Sequence, residues 1–297
     1  MRIDWRSESS ASVLLVIGCI VFGLGSIIVA TVPVGAYAIA FWRLLVAGGI
    51  FLILGRVFHQ HFPRSAKARY YGLIAGVFLG FDLALWHESI YAVGPGISTL
   101  LNSLQIFWLS AIGFIWFNER QTKLQLFSLV LAVLGVGLIG SPEFTHNEQA
   151  LWGFISGITS GLMLALSMVF VRKTHEVEKT QIFPLMLLIS LGGMGALIVP
   201  ALVFDWGKLF PTTLTHMGLI FIYGAIMQCF AWGLIAYAIP LLSLALTGLL
   251  LLSEPVAALL IDYFFLAKPI SALQWIGAVF TMIAIYLGSL KAQKVKK

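Results

Sequence analysis

FNERQTKLQLFSLVLAVLGVGLIG, residues 117–140, joins a charged start to a long apolar run, and LAKPISALQWIGAVFTMIAIYLGS at 266–289 repeats that plan 149 residues later. At this offset Leu124 aligns with Leu273, Gln125 with Gln274, Val130 with Val279 and Leu138 with Leu287. The same offset pairs Leu100 with Leu249, Leu101 with Leu250 and Ile112 with Ile261. Identities at one fixed spacing mark an internal duplication. Each run is also long enough to cross about 30 Å of hydrocarbon at about 1.5 Å per residue.

The rest of the chain has the same character. It is 60% hydrophobic and 10% charged, far from the roughly 25% charged residues of soluble domains, and its mean hydropathy is +0.99. These values predict an all-α integral membrane protein. Apolar runs give ten spans, at about 11–32, 36–55, 70–92, 97–117, 124–140, 150–171, 182–203, 217–238, 242–264 and 270–289. Arg2 and Arg6 precede the first run, as in a signal peptide, but its length favours a retained helix. Cys19 and Cys229 both fall within spans, which argues against a disulfide framework or a thiolate metal site.

Charge sets the expected orientation. With the N-terminus inside, the loops and ends on that side carry Arg2, Arg6, Arg56, Arg64, Lys67, Arg69, Arg120, Lys123, Arg172, Lys173, Lys179 and the four lysines of the tail. The opposite side carries only Lys208 and Lys268. This bias places both termini in the cytoplasm, and KAQKVKK reads as a solvated or headgroup-facing end with no nucleic-acid partner. Five spans per copy is an odd number, so a tandem copy enters the membrane from the other side. The prediction is two inverted five-helix repeats, 11–140 and 150–289, followed by a basic tail at 290–297. The link SPEFTHNEQ, 141–149, has no Lys or Arg and suits an extracytoplasmic position.

FWRLLVAGG (41–49), DLALWHESIYAVGPGISTLLNSLQIF (82–107), FNERQTKLQ (117–125) and LLLLSEPVAALLIDYFFLAKPISALQWIGAV (249–279) together resemble the drug/metabolite transporter superfamily. Within it, they resemble the ten-helix proteins built from two EamA domains. Leu104-Gln105-Ile106 departs from the Glu-Pro or Ala-Pro common in the first copy, and Ala267-Lys268 replaces the usual Gly-Glu. The resemblance implies a secondary transporter of small molecules in the inner (cytoplasmic) membrane. It implies export of amino acids, amines, drugs or other metabolites without fixing the substrate.

Ionisable groups inside spans are the first site candidates, because placing one at mid-bilayer costs about 2.5–3.5 kcal/mol on insertion scales. Asp82 is one. A helix turns about 100° per residue, which puts His87 about 140° and Glu88 about 240° from Asp82, whereas Trp86 and Ser89 share the Asp82 face. Glu88 is expected near the outer rim, tied to Arg43, while His87 can satisfy itself on a backbone carbonyl. In the next span Ser98, Asn102 and Gln105 lie on one side, and the 149 offset maps them to Thr247, Leu251 and Glu254. Gln105 and Glu254 should therefore occupy twofold-related depths near the midplane, where such transporters bind substrate. Pro255 should bend the helix and free the carbonyl of Leu251. Gln228 and Trp232, four apart, could add a hydrogen-bonding group and an aromatic wall.

Substrate binding is thus expected at Asp82, Trp86, Ser98, Asn102, Gln105, Gln228, Trp232 and Glu254, and a structural or gating role at Arg43, His87, Glu88 and Pro255. Aromatic faces beside a carboxylate would suit an amine or quaternary ammonium ion, and an amphipathic zwitterion as well. Glycines at 153, 157 and 161, continued by Ala165, and at 76 and 80 read as close-packing surfaces, and GLGS at 23–26 as a loosened first span. The sequence has no zinc-protease, nucleophile-elbow or phosphate-loop motif. It predicts no catalytic residue, no metal and no cofactor. A lipid-scrambling protein or a membrane-embedded enzyme is the lesser alternative. The partners expected are a small-molecule substrate and the lipid bilayer, with protons as candidate coupling ions.

Overall fold

The computed structural model describes residues 7–140, 149–264 and 271–290. Arg2, Arg6, most of the 141–149 link, Lys268 and the basic tail from 291 lie outside the described residues. The described residues are helical with short connections: α1 (Glu8–Gly23), α2 (Gly25–Thr31), α3 (Ala36–Val57), α4 (Ala66–Asn102), α5 (Gln105–Phe117), α6 (Lys123–Gly140), α7 (Ala150–Val177), α8 (Ile182–Phe204), α9 (Leu214–Ile222), α10 (Trp232–Ala238), α11 (Leu244–Leu251), α12 (Ser253–Phe264) and α13 (Ala272–Leu290). A π-helical stretch, Tyr223–Ala231, joins α9 to α10. Seven helical segments among the described residues are long and apolar enough to cross a membrane, and three shorter apolar helices accompany them at Lys123–Leu138, Leu244–Ala257 and Ala272–Leu287.

The interruptions follow from the sequence. Gly-Leu-Gly loosens the first span, and the helix breaks at Leu24 between α1 and α2. α4 runs through two apolar spans with a kink at Gly94, whose φ of 83° belongs to the left-handed half of the map, followed by Pro95. Only glycine takes that conformation without a steric cost, and Pro95 lacks the N–H that would continue the ladder. Within the expected 242–264 span, Leu252 breaks the helix between α11 and α12, and Pro255 falls in the first turn of α12, where its missing N–H is harmless. The bend expected at Pro255 is therefore present as a break three residues before it.

The duplication is visible atom by atom. At the start of α6 the amide of Thr122 donates to Gln125 Oε1 at 2.9 Å and the amide of Gln125 donates to Thr122 Oγ1 at 3.2 Å. At the start of α13, 149 residues on, Ser271 and Gln274 make the same two bonds at 2.9 and 3.2 Å. Each is a reciprocal capping box that satisfies two of the free donors at a helix start. The Gly94 kink corresponds to Ser243, whose hydroxyl caps α11, and the break between α4 and α5 at Ser103–Leu104 corresponds to the break at Leu252.

Packing obeys the same symmetry. α3 packs on α8 and α6 on α13, each pair being a helix and its own counterpart, while α4 packs on α7 and α1 on α10, α11 and α12. Equivalent turns lie at opposite ends of the bundle. Tyr91, next to the Gly94 kink, donates to the carbonyl of Val34 at the start of α3, whereas Leu244 donates to Glu119 at the far end. That far end also gathers the loop 58–65 and the chain around 178–183. There Glu178 takes the amides of Arg64 and Ser65, Gln181 takes that of His61, and Gln60 takes that of Phe183. Three of the basic loops thus share one end.

Small residues let the helices touch. A Cβ on Gly153 would lie 2.4 Å from Val93 and one on Gly161 2.7 Å from the carbonyl of Asn102, so this row seats α7 on both limbs of α4. A Cβ on Gly76 would lie 2.1 Å from the carbonyl oxygen of Ile189, one on Gly80 2.9 Å from Gly193 Cα, and one on Gly192 2.1 Å from the carbonyl of Leu73. Along these two turns α4 and α8 meet backbone to backbone, the close approach that small residues permit between apolar helices.

Candidate functional site

The interior is organised around Arg43. It lies on α3 amid apolar neighbours and is fully buried. A guanidinium carries five donors and no acceptor, so every neighbour it bonds must accept. Nε donates to Gln228 Oε1 at 2.7 Å and Nη1 to the hydroxyl of Tyr223 at 2.6 Å. The charge also sits against two aromatic faces, 4.6 Å from the Phe22 ring centre and 4.3 Å from that of Tyr223. The Tyr223 hydroxyl, having accepted from arginine, has one proton left to give, and His87 Nε2 stands 2.8 Å away. Nδ1 of the same ring is 3.1 Å from the carbonyl of Ala36. Donation from Tyr223 to Nε2 and from Nδ1–H to Ala36 satisfies all partners with a neutral imidazole, which also avoids a second positive charge beside Arg43.

A second chain of bonds runs across the kink of α4. Asn102 Nδ2 donates to Asp82 Oδ1 and lies 2.9 Å from Ser160 Oγ on α7. Ser98 donates to the carbonyl of Trp86 and Ser89 to that of Gly153. The two limbs of α4 are thereby laced to each other and to α7. The indole of Trp86 packs 6.0 Å from Phe22 and 5.6 Å from His87, and Trp232 packs 6.1 Å from Phe22. Phe22 is the common wall between the arginine and both tryptophans.

Gln105 and Glu254 each begin a helix just after a break, Gln105 as the first residue of α5 and Glu254 as the second of α12. Gln105 is buried beside Gly161. The Glu254 side chain lies against Gly23 of α1, where a Cβ would meet its Cγ at 3.4 Å, and it is within electrostatic range of Arg43. Ser253 donates to the carbonyl of Leu250 at the same break. Gln105 and Glu254, 149 residues apart, thus both follow a helix break.

One expected contact is corrected. Arg43 and Glu88 form no ion pair among the described residues. α4 turns Glu88 toward α7, where it accepts from Trp152 Nε1 at 3.1 Å, while Arg43 points into the bundle toward the π-helical stretch. Asp82, His87 and Glu88 go three separate ways, as helix geometry requires. Ser98 and Ser89 brace carbonyls. Sequence reasoning missed Tyr223 and Phe22, which hold Arg43, and the π-helix that carries Tyr223 and Gln228 on adjoining turns. Such insertions recur at functional sites.

The two ends of the bundle differ. At one end a vestibule of about 570 Å³ opens between the start of α3 and the end of α8, and Glu88, Tyr91, Asp205 and Lys208 are among the polar members of its largely apolar lining. Asp205, beyond the end of α8, caps α3 from outside by accepting from Ala38 at 2.8 Å. Burial raises its pKa against the opposing pull of the Ala38 and Tyr37 amides. Gly35 leaves room for that carboxylate, since a Cβ would fall 2.0 Å from Asp205 Cγ and displace it. At the other end Arg172 pairs with Glu119, which also accepts from the amide of Leu244, and Gln121 bonds to Ser110. Arg172 and Lys173 lie over the rings of Phe117 and Trp116. Polar latches therefore cross one end and a vestibule opens at the other.

The sequence model of the EamA-like transporter family matches residues 9–141 and 151–290. A solved structure titled only as the crystal structure of a protein superposes with a TM-score of 0.74 at 12% identity, over 97% of this chain and 99% of that one. At that identity the likeness speaks for the fold alone. No curated relative matches the chain.

Proposed function

Given that this chain belongs to the EamA-like transporter family, a family of multi-pass membrane transporters, we propose that it carries small polar or amphipathic metabolites, such as amino acids or amines, out of the cytoplasm by alternating access. In this reading ten spans form two inverted five-helix repeats, 11–140 and 150–289. Both termini face the cytoplasm, the host is the inner membrane, and the chain is not an enzyme. The observation that carries the reading is the pair of helix breaks at Ser103–Leu104 and Leu252, 149 residues apart, with Gln105 and Glu254 within two residues of them. Broken helices at twofold-related positions are how transporters expose backbone and side chains to a solute at mid-membrane.

Between the vestibule and the latches lie Asp82, Asn102, Gln228, Trp86 and Trp232, which supply a polar floor and aromatic walls. Opening the other end requires the Arg172–Glu119 pair to part and the vestibule to close over Asp205 and Lys208. Asp82 and Glu254 are the carboxylates available to carry protons if transport is coupled to them.

Sealed proteoliposomes test this directly. Radiolabelled amino acids and amines are loaded inside, and efflux is compared with protein-free vesicles, with fluorescent-lipid and product analysis on the same samples. Solute efflux supports the reading. Lipid movement without solute efflux would make the chain a scramblase, and chemical conversion of solute would make it an enzyme.

A further inference from the structure

Three buried donors of the Arg43 cluster have no hydrogen-bond partner among the described residues: Arg43 Nη2, Gln228 Nε2 and Trp232 Nε1. Arg43 and Gln228 are 0% exposed and Trp232 1%. Their proximity is fixed by contacts already described: Gln228 accepts from Arg43, Trp232 follows Gln228 by one helical turn, and Phe22 touches both the guanidinium and the indole. The amide of Gln228 cannot be turned to hide its NH₂, because its oxygen is committed to Arg43 Nε.

The three unpartnered groups are all N–H donors, and one of them belongs to a permanent cation. A buried donor without an acceptor costs about 1–3 kcal/mol, more when charged, and a buried charge is held by a pair or by hydrogen bonds. The carboxylates nearby do not supply that pair. Asp82 is bonded to Asn102 across the α4 kink, and among the described residues neither Asp82 nor Glu254 forms an ion pair with Arg43.

Building on the transport reading above, we propose that Arg43 Nη2, Gln228 Nε2 and Trp232 Nε1 are the docking point for a carboxylate of the transported solute. A carboxylate has two oxygens to accept from these donors, of which the charged guanidinium Nη2 is the strongest, since Nε and Nη1 are held by Gln228 and Tyr223. The solutes selected are then those bearing an acid group, with the rings of Phe22, Trp86 and Trp232 against the rest of the molecule. Amines and quaternary ammonium ions without an acid do not complete this cluster.

The test uses the purified full-length chain in detergent and thermal stabilisation by a panel of acid and amide pairs: phenylalanine and phenylalaninamide, leucine and leucinamide, 3-phenylpropionate and its amide. Potassium chloride serves as a separate arm. The acid members should bind about ten- to hundredfold more tightly than their amides, the worth of one hydrogen bond to a charged group. Arg43→Gln should abolish the preference. Because that variant removes a buried anchor and puts folding at risk, Gln228→Glu is the second: it places a carboxylate of nearly the same shape beside Arg43, and should give folded protein that no longer prefers acids. Equal stabilisation by acids and amides in the wild type, an acid preference that survives Gln228→Glu, or chloride competing as well as the acids would each overturn the proposal. The readout is independent of flux. Acid preference in a chain that carries nothing keeps the subsite and removes the transport reading, and flux without acid preference does the reverse.

Discussion

Replacing Tyr223 by Phe removes one oxygen atom and two hydrogen bonds from the centre of the bundle. The ring remains, so its contact with Arg43 at 4.3 Å and the packing around it should survive. What is lost is the acceptor for Arg43 Nη1 at 2.6 Å and the donor to His87 Nε2 at 2.8 Å. Hydrogen bonds between membrane helices average only about 0.6 kcal/mol in mutant cycles, reaching about 1.7. Here both stranded partners are fully buried and one is charged, which moves the cost to about 2–3 kcal/mol. The measurement is reversible unfolding of the purified chain in mixed micelles across a denaturant series. A double-mutant cycle with His87→Leu should show coupling of about 1 kcal/mol, since with His87 apolar the hydroxyl has only the arginine to serve. A Tyr223→Phe cost below about 0.5 kcal/mol, with the variant folded, would refute the claim that this hydroxyl relays between arginine and histidine.

Glu254→Gln should leave folded yield near wild type and lower solute flux in proteoliposomes; wild-type flux would remove Glu254 from the site. Single cysteines at Lys179 and Lys208 should divide, with only the Lys208 position labelled by an impermeant reagent added outside cells, and labelling at Lys179 would invert the topology. Glu178 is held below the usual carboxylate range by the amides of Ser65 and Arg64. Its native form therefore contributes stability above that range and loses it as pH falls through the lowered value. Glu178→Gln should accordingly flatten the acid limb of a stability–pH curve, and an unchanged limb would show that the loop contact adds nothing.

The parts of this fold that the sequence revealed are those written in local pattern. Apolar run lengths marked the long apolar helices, GLGS marked the break at Leu24, and the glycine rows at 76 and 80 and at 153, 157 and 161 marked where helices touch. The 149 offset, seen as sparse identities, corresponds to matching capping boxes, and Thr122 and Ser271 went unnoticed because they differ in residue type while doing the same work. The site was less legible. Its central bonds join residues 136 to 185 apart in sequence, and no periodicity within one helix reports a partner on another. The sequence pairs Arg43 with Glu88 by similar expected depth near the outer rim, yet facing is set by helix rotation, which packing decides. The π-helical stretch shifts facing again, and nothing in Tyr223–Ala231 announces it.

The backbone contact of α4 with α8 constrains how this molecule can move. Where Gly76 meets Ile189 and Gly192 meets Leu73, there is no side chain to bend aside, so the two helices cannot be pressed closer, and small steps of sliding would run one carbonyl into the next. What such a contact still allows is tilting about itself. In the alternating-access reading it is the fulcrum between the halves, and a small swing there is magnified with distance toward both ends of the bundle. The vestibule by Asp205 and the ion pair at Arg172 sit at opposite ends of that lever, so in that reading the swing that narrows one spreads the other.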